Sequence, residues 1–294
     1  MTEQSAMERM RILAEQVDAS ELSSIRSIVA GVISIINDPT STARDLKHII
    51  EVDPPLTTRV LAMANSALYA SKKKICDLEQ AVIWIGYDSL KEIALSQKVC
   101  EIFAKGDLIE GYSRAALWKH SMAVAMLAKM IYRMEFGLRG EDIYICGLLH
   151  DIGLIVEDQF AQSEFISVIR EWLSGRSSLP DAEMKVFGFD HPMIGSAILE
   201  RWDIPQEIVI SICRHHDPFT VEESFARMTA TLFLADTLCQ REGFGRIELA
   251  PSLSESTLSK CMKLLGLKPM ALGLLIRQLK ERIGEMEHEG LFRG

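Results

Sequence analysis

Seven side chains of this sequence have the types and settings from which a metal centre is built: His120, His150, Asp151, His191, His215, His216 and Asp236. Imidazoles and carboxylates drawn from separate segments form the mixed nitrogen and oxygen set that first-row transition metals accept. Their surroundings are apolar. His120 falls on a stripe with Leu117, Val124, Leu127 and Ile131, so its spacing aims it at a core. His150 and Asp151 stand in Leu148-Leu149-His150-Asp151-Ile152-Gly153, where an apolar helix is expected to end at the glycine. Asp236 comes one turn after Leu232 and Phe233, where an unpaired charge is costly. His191 precedes Pro192, which starts a helix and leaves the histidine at its mouth. His215-His216-Asp217-Pro218 closes the helix bearing Ile208, Ile210 and Ile212. Adjacent residues point about 100° apart in a regular helix, but a frayed last turn before a proline lets both imidazoles face one centre.

Each residue alone has a plainer explanation: a core histidine bonded to a carbonyl, a capping or ion-paired aspartate, a neighbour of an N-cap. The set together has two, independent core polar groups or one shared ion. An ion has the advantage that it removes the penalty of burying Asp151 and Asp236.

The elements that must position these groups are helical. Leu22, Ile25, Ile28, Val29, Val32, Ile33 and Ile36 recur at helical spacing and stop at Asn37-Asp38-Pro39. A helix over about 42–52 follows, then Asp53-Pro54-Pro55 as N-cap and proline-initiated helix. Asp77 with Gln80 resembles a capping box, Gly86 a stop, and Asp88 a cap for the next helix. Lys105-Gly106-Asp107 and Glu110-Gly111 break the pattern and mark a lobe boundary. Beyond it the pattern predicts helices at about 114–134, 141–151, 162–174, 192–202, 205–215 and 224–241. A final segment opens at Pro251, with Ser252 and Glu255 as a capping box, and ends in the helix Met270 to Glu287. No segment alternates as a strand would. The fold class expected is all-α, with two packed helical lobes: an N-terminal extension at 1–19, a first lobe at 20–110, a metal-binding lobe at 111–245 and a C-terminal extension at 246–294. The boundary is too short for a flexible linker, so the lobes should pack on each other.

Of 294 residues, 48% are hydrophobic and 25% charged, a globular profile. A formal charge of -9 argues against a nucleic-acid partner or an anionic membrane. Charge-free runs such as Ser27 to Asn37 fall short of the roughly 20 apolar residues a bilayer span needs. The start MTEQSAMERM lacks the basic and then apolar pattern of a secretory signal, and the six cysteines form no paired framework. A cytoplasmic protein with buried thiols is expected. The run Lys72-Lys73-Lys74 reads as a solvated loop.

The order His, His-Asp, Asp across a helical lobe resembles the HD superfamily of metal-dependent phosphohydrolases, and the added His191 and His215-His216 are similar to the HD-GYP cyclic-di-GMP phosphodiesterases. The first lobe is more specific. Ile36-Asn37-Asp38-Pro39, Asp53-Pro54-Pro55-Leu56, Leu61-Ala62-Met63-Ala64-Asn65-Ser66-Ala67-Leu68-Tyr69, Leu78-Glu79-Gln80-Ala81 and Ile85-Gly86 look like the HDOD domain, an HD-related output domain of bacterial signalling proteins. This resemblance implies an HD-like helical bundle in the second lobe. It implies one ion held by His120, His150, Asp151 and Asp236, with Asp151 bridging to a second held by His191, His215 and His216. The ions implied are divalent first-row metals, iron or manganese, one or two in number. Leu154 stands where HD-GYP enzymes carry a lysine, no glycine-tyrosine-proline loop follows His216, and Ala116 replaces the glutamate of three-metal members. Lys119 and Arg214 adjoin ligands and should point away from the centre.

Three functions follow. One is a regulatory HDOD module with a protein partner in signalling and little or no hydrolase activity. The second is an active phosphohydrolase or phosphodiesterase acting on a nucleotide or cyclic dinucleotide. The third is a helical scaffold without metal.

Overall fold

The computed structural model describes residues 3–20, 22–38, 40–66, 69, 74–103, 109, 111–245, 255–288 and 292. Sixteen α-helices and no strand occur among them, apart from one bridge between Ile109 and Tyr112. Pro39, Ala67 and Leu68 of the quoted motifs, Lys72 and Lys73, the Lys105-Gly106-Asp107 and Glu110 part of the boundary, and the Pro251 and Ser252 cap lie outside the described residues.

The first helices form where the sequence sets them. α2 (Leu22–Asn37), α3 (Ala43–Glu51), α4 (Pro54–Ala64) and α5 (Leu78–Ile85) pack on or around α6 (Tyr87–Phe103). Asp53 Oδ1 accepts from Leu56 N at 2.9 Å and caps α4, and its Oδ2 accepts from buried Lys98 of α6 at 2.6 Å. The cap thus also ties two helices together. Asn65 does the same for the loop after α4. Its amide donates to Leu61 O at 2.7 Å and Ile75 O at 2.8 Å, and its Oδ1 accepts from Ile75 N at 2.8 Å. Asn65→Ala removes all three bonds and is expected to cost about 2 kcal/mol in urea unfolding, each net bond being worth ~1 kcal/mol or somewhat less where water can replace it. Asp77 caps α5 through Gln80 N at 2.8 Å, and Gly86 ends it with φ 87°, a conformation that favours glycine. Asp88 is not a cap, since α6 begins at Tyr87; it pairs with Lys91 at 2.9 Å.

Helix α6 lies against α7 (Arg114–Glu135) and α8 (Glu141–Leu149), and one apolar core runs through both sides. Buried Lys129 of α7 pairs with Glu92 of α6, and Lys91 Nζ stands 3.8 Å from Glu141 Oε1. Around α7 and α8 are α9 (Ile152–Phe160), α12 (His191–Arg201), α13 (Gln206–Cys213) and α14 (Glu223–Arg241). α9 packs on α12, α13 on α12 and α14, and α14 on α7. α15 (Glu255–Leu265) packs on α14, and α16 (Pro269–His288) on α7. The cysteines are all unpaired; Cys146, Cys239 and Cys261 are buried, whereas Cys76 is exposed and Cys100 and Cys213 half-buried, so not every thiol is a core thiol.

Three helices lie outside the sequence pattern: α1 (Glu3–Asp18), α9 and α11 (Leu179–Val186). α1 buries only a thin stripe, Ala6, Leu13, Ala14 and Val17, against α9 and α12. The two buried residues of α11 are Ala182 and Glu183, so hydrophobic periodicity cannot reveal it. α9 follows α8 after only His150 and Asp151, and every residue from Ile152 to Asp158 is buried. Gly153 therefore does not end the preceding helix. It lies inside α9, and a Cβ there would stand 2.0 Å from His191 O, so the glycine exists to let α12 approach.

Candidate metal centre

The seven candidate residues come from five places in the chain and meet in one buried cluster. His120 lies on α7, His150 and Asp151 between α8 and α9, His191 at the first position of α12, His215 and His216 in the turn after α13, and Asp236 on α14. All are buried except His216, which is exposed at the rim.

Asp151 is the hub. Its Oδ2 is 3.1 Å from His150 Nε2 and 3.9 Å from His120 Nε2, while its Oδ1 is 3.4 Å from His191 Nε2 and 3.9 Å from His215 Nε2. One carboxylate oxygen thus faces each half of the cluster. Asp236 Oδ1 lies 2.9 Å from His120 Nε2 and 4.0 Å from His150 Nε2, and Gln240 donates to the same oxygen at 2.7 Å. His216 Nε2 and His191 Nε2 are 3.0 Å apart. Two groupings have ligand atoms close enough to surround an ion, His120 with His150 and Asp151, and His191 with His215 and His216.

The far sides of the rings are tied down. His150 Nδ1–H donates to Gly147 O at 2.9 Å, His215 Nδ1–H to Ile212 O at 2.7 Å, and His120 Nδ1 lies 3.3 Å from Phe244 O. His191 Nδ1–H donates to Glu183 at 2.8 Å. These bonds orient the rings with Nε2 turned inward, the usual arrangement for a ligating histidine, while in the absence of an ion His120 Nε2–H donates to Asp236 Oδ1 at 2.9 Å. Buried His150 Nε2 and His215 Nε2 have no hydrogen-bond partner; Asp151 Oδ2 lies near the former but off the line a hydrogen bond needs. Buried ring nitrogens that lack a partner and face a carboxylate fit a divalent ion.

The electrostatics say the same. Burial raises the Asp151 carboxyl, but the imidazoles of His150, His191 and His120 outweigh it and hold it well below the ordinary range. Burial also pulls His150 down, yet Asp151 and Asp236 overcome it and push the ring up to about 9. Burial pulls His215 down to about 4, with His150 and His191 adding to the effect. The field that suits a cation therefore holds a proton on His150 at neutral pH, and an ion entering there must displace it. Apparent metal affinity should rise about tenfold per pH unit from pH 7 to 9, with close to one proton released per ion. Calorimetry in buffers of different ionisation enthalpy measures that proton; a flat affinity across the range would refute it.

Three supporting features had no signal in the sequence. Glu183 carries His191 and Gln240 carries Asp236, both from outside the apolar patterns. Gly245 has φ 67°, and a Cβ there would be 2.0 Å from Ala116 O and 2.7 Å from His120 N, so it lets the Phe244 carbonyl press against His120. The two basic residues nearest the ligands in sequence do turn away: Lys119 pairs with Glu287 at 2.5 Å, and Arg214 is exposed.

The buried histidines and aspartates of these helices thus converge on one centre. The HDOD domain matches residues 22–218, and the chain belongs to the HDOD domain family. An HDOD domain protein of unknown function from Geobacter sulfurreducens is 28% identical and covers 95% of this chain and 96% of its own, with a TM-score of 0.78. A chain from Marinobacter aquaeolei VT8, described as a signal transduction protein, shares the fold at TM-score 0.75 and 21% identity over 99% of this chain and 66% of its own. An uncharacterised protein of Treponema pallidum (strain Nichols) is 25% identical over 232 residues, 76% of this chain and 43% of that protein. The chain thus spans less than half the length of the curated relatives it matches. Among the described residues no helix is long and apolar enough to cross a membrane.

Proposed function

We propose that the protein is a regulatory HDOD module of bacterial signalling that holds one or two divalent first-row ions, iron or manganese, and communicates by contact with a protein partner. His120, His150, Asp151 and Asp236 would hold one ion, and His191, His215 and His216, with Asp151 bridging, a second. Such ions could supply an activated water and a Lewis acid for phosphate chemistry. The observation that carries the regulatory reading is the fate of the positive charge a diester requires. Leu154, where the related hydrolases carry lysine, is 3% exposed and part of the core, while Lys119 pairs with Glu287 and Arg214 is exposed. With leucine in place of that lysine, an anionic diester loses a cationic group that would orient it, and orientation is worth up to roughly 7–11 kcal/mol.

The complete ligand set favours the second reading, a metal-dependent phosphohydrolase acting on a nucleotide or cyclic dinucleotide. One experiment separates them. Protein loaded with Mn²⁺ or Fe²⁺ is expected to turn over cyclic dinucleotides and nucleoside phosphates well below about 1 s⁻¹, the low end of ordinary enzymes. Turnover at or above that rate, abolished by His150→Ala, would establish the hydrolase instead. Absence of stoichiometric metal after expression in supplemented medium would sink both.

A further inference from the structure

At the end of the bundle away from the histidine cluster, α7, α8, α13 and α14 border a cleft of about 510 Å³, a size usual for small-molecule sites. Tyr132 follows His120 on α7 by 12 residues and Arg227 precedes Asp236 on α14 by nine, so roughly 13–18 Å of helix separates cleft from cluster. Two polar atoms at the cleft lack partners. Tyr132 is 7% exposed and lines it, and its hydroxyl makes no hydrogen bond to the described residues. Asp142 Oδ1 is buried and is likewise unpartnered. Burial, then Cys146 and Glu207, raises the Tyr132 hydroxyl, which stays a neutral donor. Burial, then Glu207 and Glu141, raises the Asp142 carboxyl, so a cation beside it is favoured. Four acids line the cleft, Glu141, Asp142, Glu207 and Glu223, against two arginines, Arg139 and Arg227. Neither arginine has an ion-pair partner among the described residues, and the Arg227 guanidinium lies 5.7 Å from the centre of the Phe136 ring. Each acid stands in the first turn of α8, α13 or α14, where it balances the helix dipole. That accounts for the acids, which do not close on one point as metal ligands would. It does not account for the unpartnered hydroxyl and carboxylate oxygen, or for unpaired guanidinium groups at the same cleft.

We propose that this cleft binds a free basic amino acid, or a metabolite of the same build, with a guanidinium or ammonium group at one end and a carboxylate at the other. The cationic group would pair with Asp142 and Glu207, and the carboxylate would accept from the Tyr132 hydroxyl and Arg227. Four acids against two arginines call for a ligand of net positive charge, and the free arginines call for an anionic group on it. A plain polycation would leave the guanidinium groups opposed, and a plain anion would meet four carboxylates. The site goes beyond the regulatory reading above and needs no ion at the histidine cluster.

Calorimetric titration of the full-length chain as purified should find L-arginine binding with a dissociation constant below about 1 mM, at least tenfold tighter than agmatine, which lacks the carboxylate. No binding of L-arginine or L-lysine at about 10 mM, or agmatine binding equally well, would overturn the proposal. Tyr132→Phe removes only an unpartnered hydroxyl, so it should leave urea stability unchanged while weakening L-arginine severalfold. Asp142→Asn should weaken it about tenfold or more, since a charge-assisted bond is lost. Unchanged affinity in both variants would put the amino acid elsewhere on the protein and end the assignment. Nα-acetyl-arginine amide, which keeps the guanidinium but has neither free terminus, stands for a side chain of a protein partner. If it binds as tightly as L-arginine, the cleft takes a protein's side chain and the proposal falls. None of these readouts depends on bound metal, so the regulatory reading and this one fail separately.

Discussion

Asp151→Ala is expected to strip the protein of bound metal, with apparent affinity falling about 100-fold or more, beyond the 10–100-fold typical of losing a supporting residue. The carboxylate is the one group whose two oxygens lie between 3.1 and 3.9 Å from four different imidazoles, so its removal opens both halves of the cluster at once. The effect should extend to the rings. Asp151 is the strongest influence raising His150, and without it burial draws that ring down toward the neutral form. Elemental analysis of the purified variant measures the loss, and NMR titration of His150 measures the shift. A variant that retains two ions per chain would refute the bridging role, whereas one that retains a single ion would assign the remaining half.

Gly153→Ala is expected to lower stability by about 3 kcal/mol or more. The added carbon would meet the His191 carbonyl at 2.0 Å, and both contacting atoms belong to backbone, so no side chain can swing aside. α9 and α12 would have to separate, carrying His191 away from Asp151. Gly195 sits at the same crossing, yet its nearest neighbour would be 3.3 Å away, and Gly195→Ala should cost far less. Gly284 of α16 meets nothing within 4 Å, so Gly284→Ala should stabilise by up to ~1 kcal/mol through helix propensity. Urea unfolding of the three variants side by side is the measurement. Equal effects at Gly153 and Gly284 would mean the close crossing does not exist in solution.

Much of the helical order was readable because it depends on neighbours in the chain. Asp53, Asp77 and Gly86 cap and stop helices through bonds to residues three or four away, and the stripe around Leu22 to Ile36 needs only one apolar face. The helices that escaped lack that local signature. α11 buries a glutamate whose reason is His191, eight residues further on, and α9 is buried all round from Ile152 to Asp158, two acids included, because it packs against α12, α10 (Gln162–Leu173) and α1. The same limit explains Gly153, whose type reads locally as a helix stop and whose cause is a carbonyl 38 positions away.

By itself the sequence determined the helical class, the seven side chains fit for metal, and their uneasy placement in apolar stretches, since composition and periodicity are properties of short windows. Only the tertiary structure decided that Asp151 turns one oxygen to each half of the cluster, that Glu183 holds His191, and that Phe244 O lies against His120. The physical reason is range. A cap or an amphipathic stripe is settled within a few residues, whereas a side-chain cluster drawn from positions 120 to 236 exists only after the packing of α7, α8, α12, α13 and α14 has fixed distances to within an ångström.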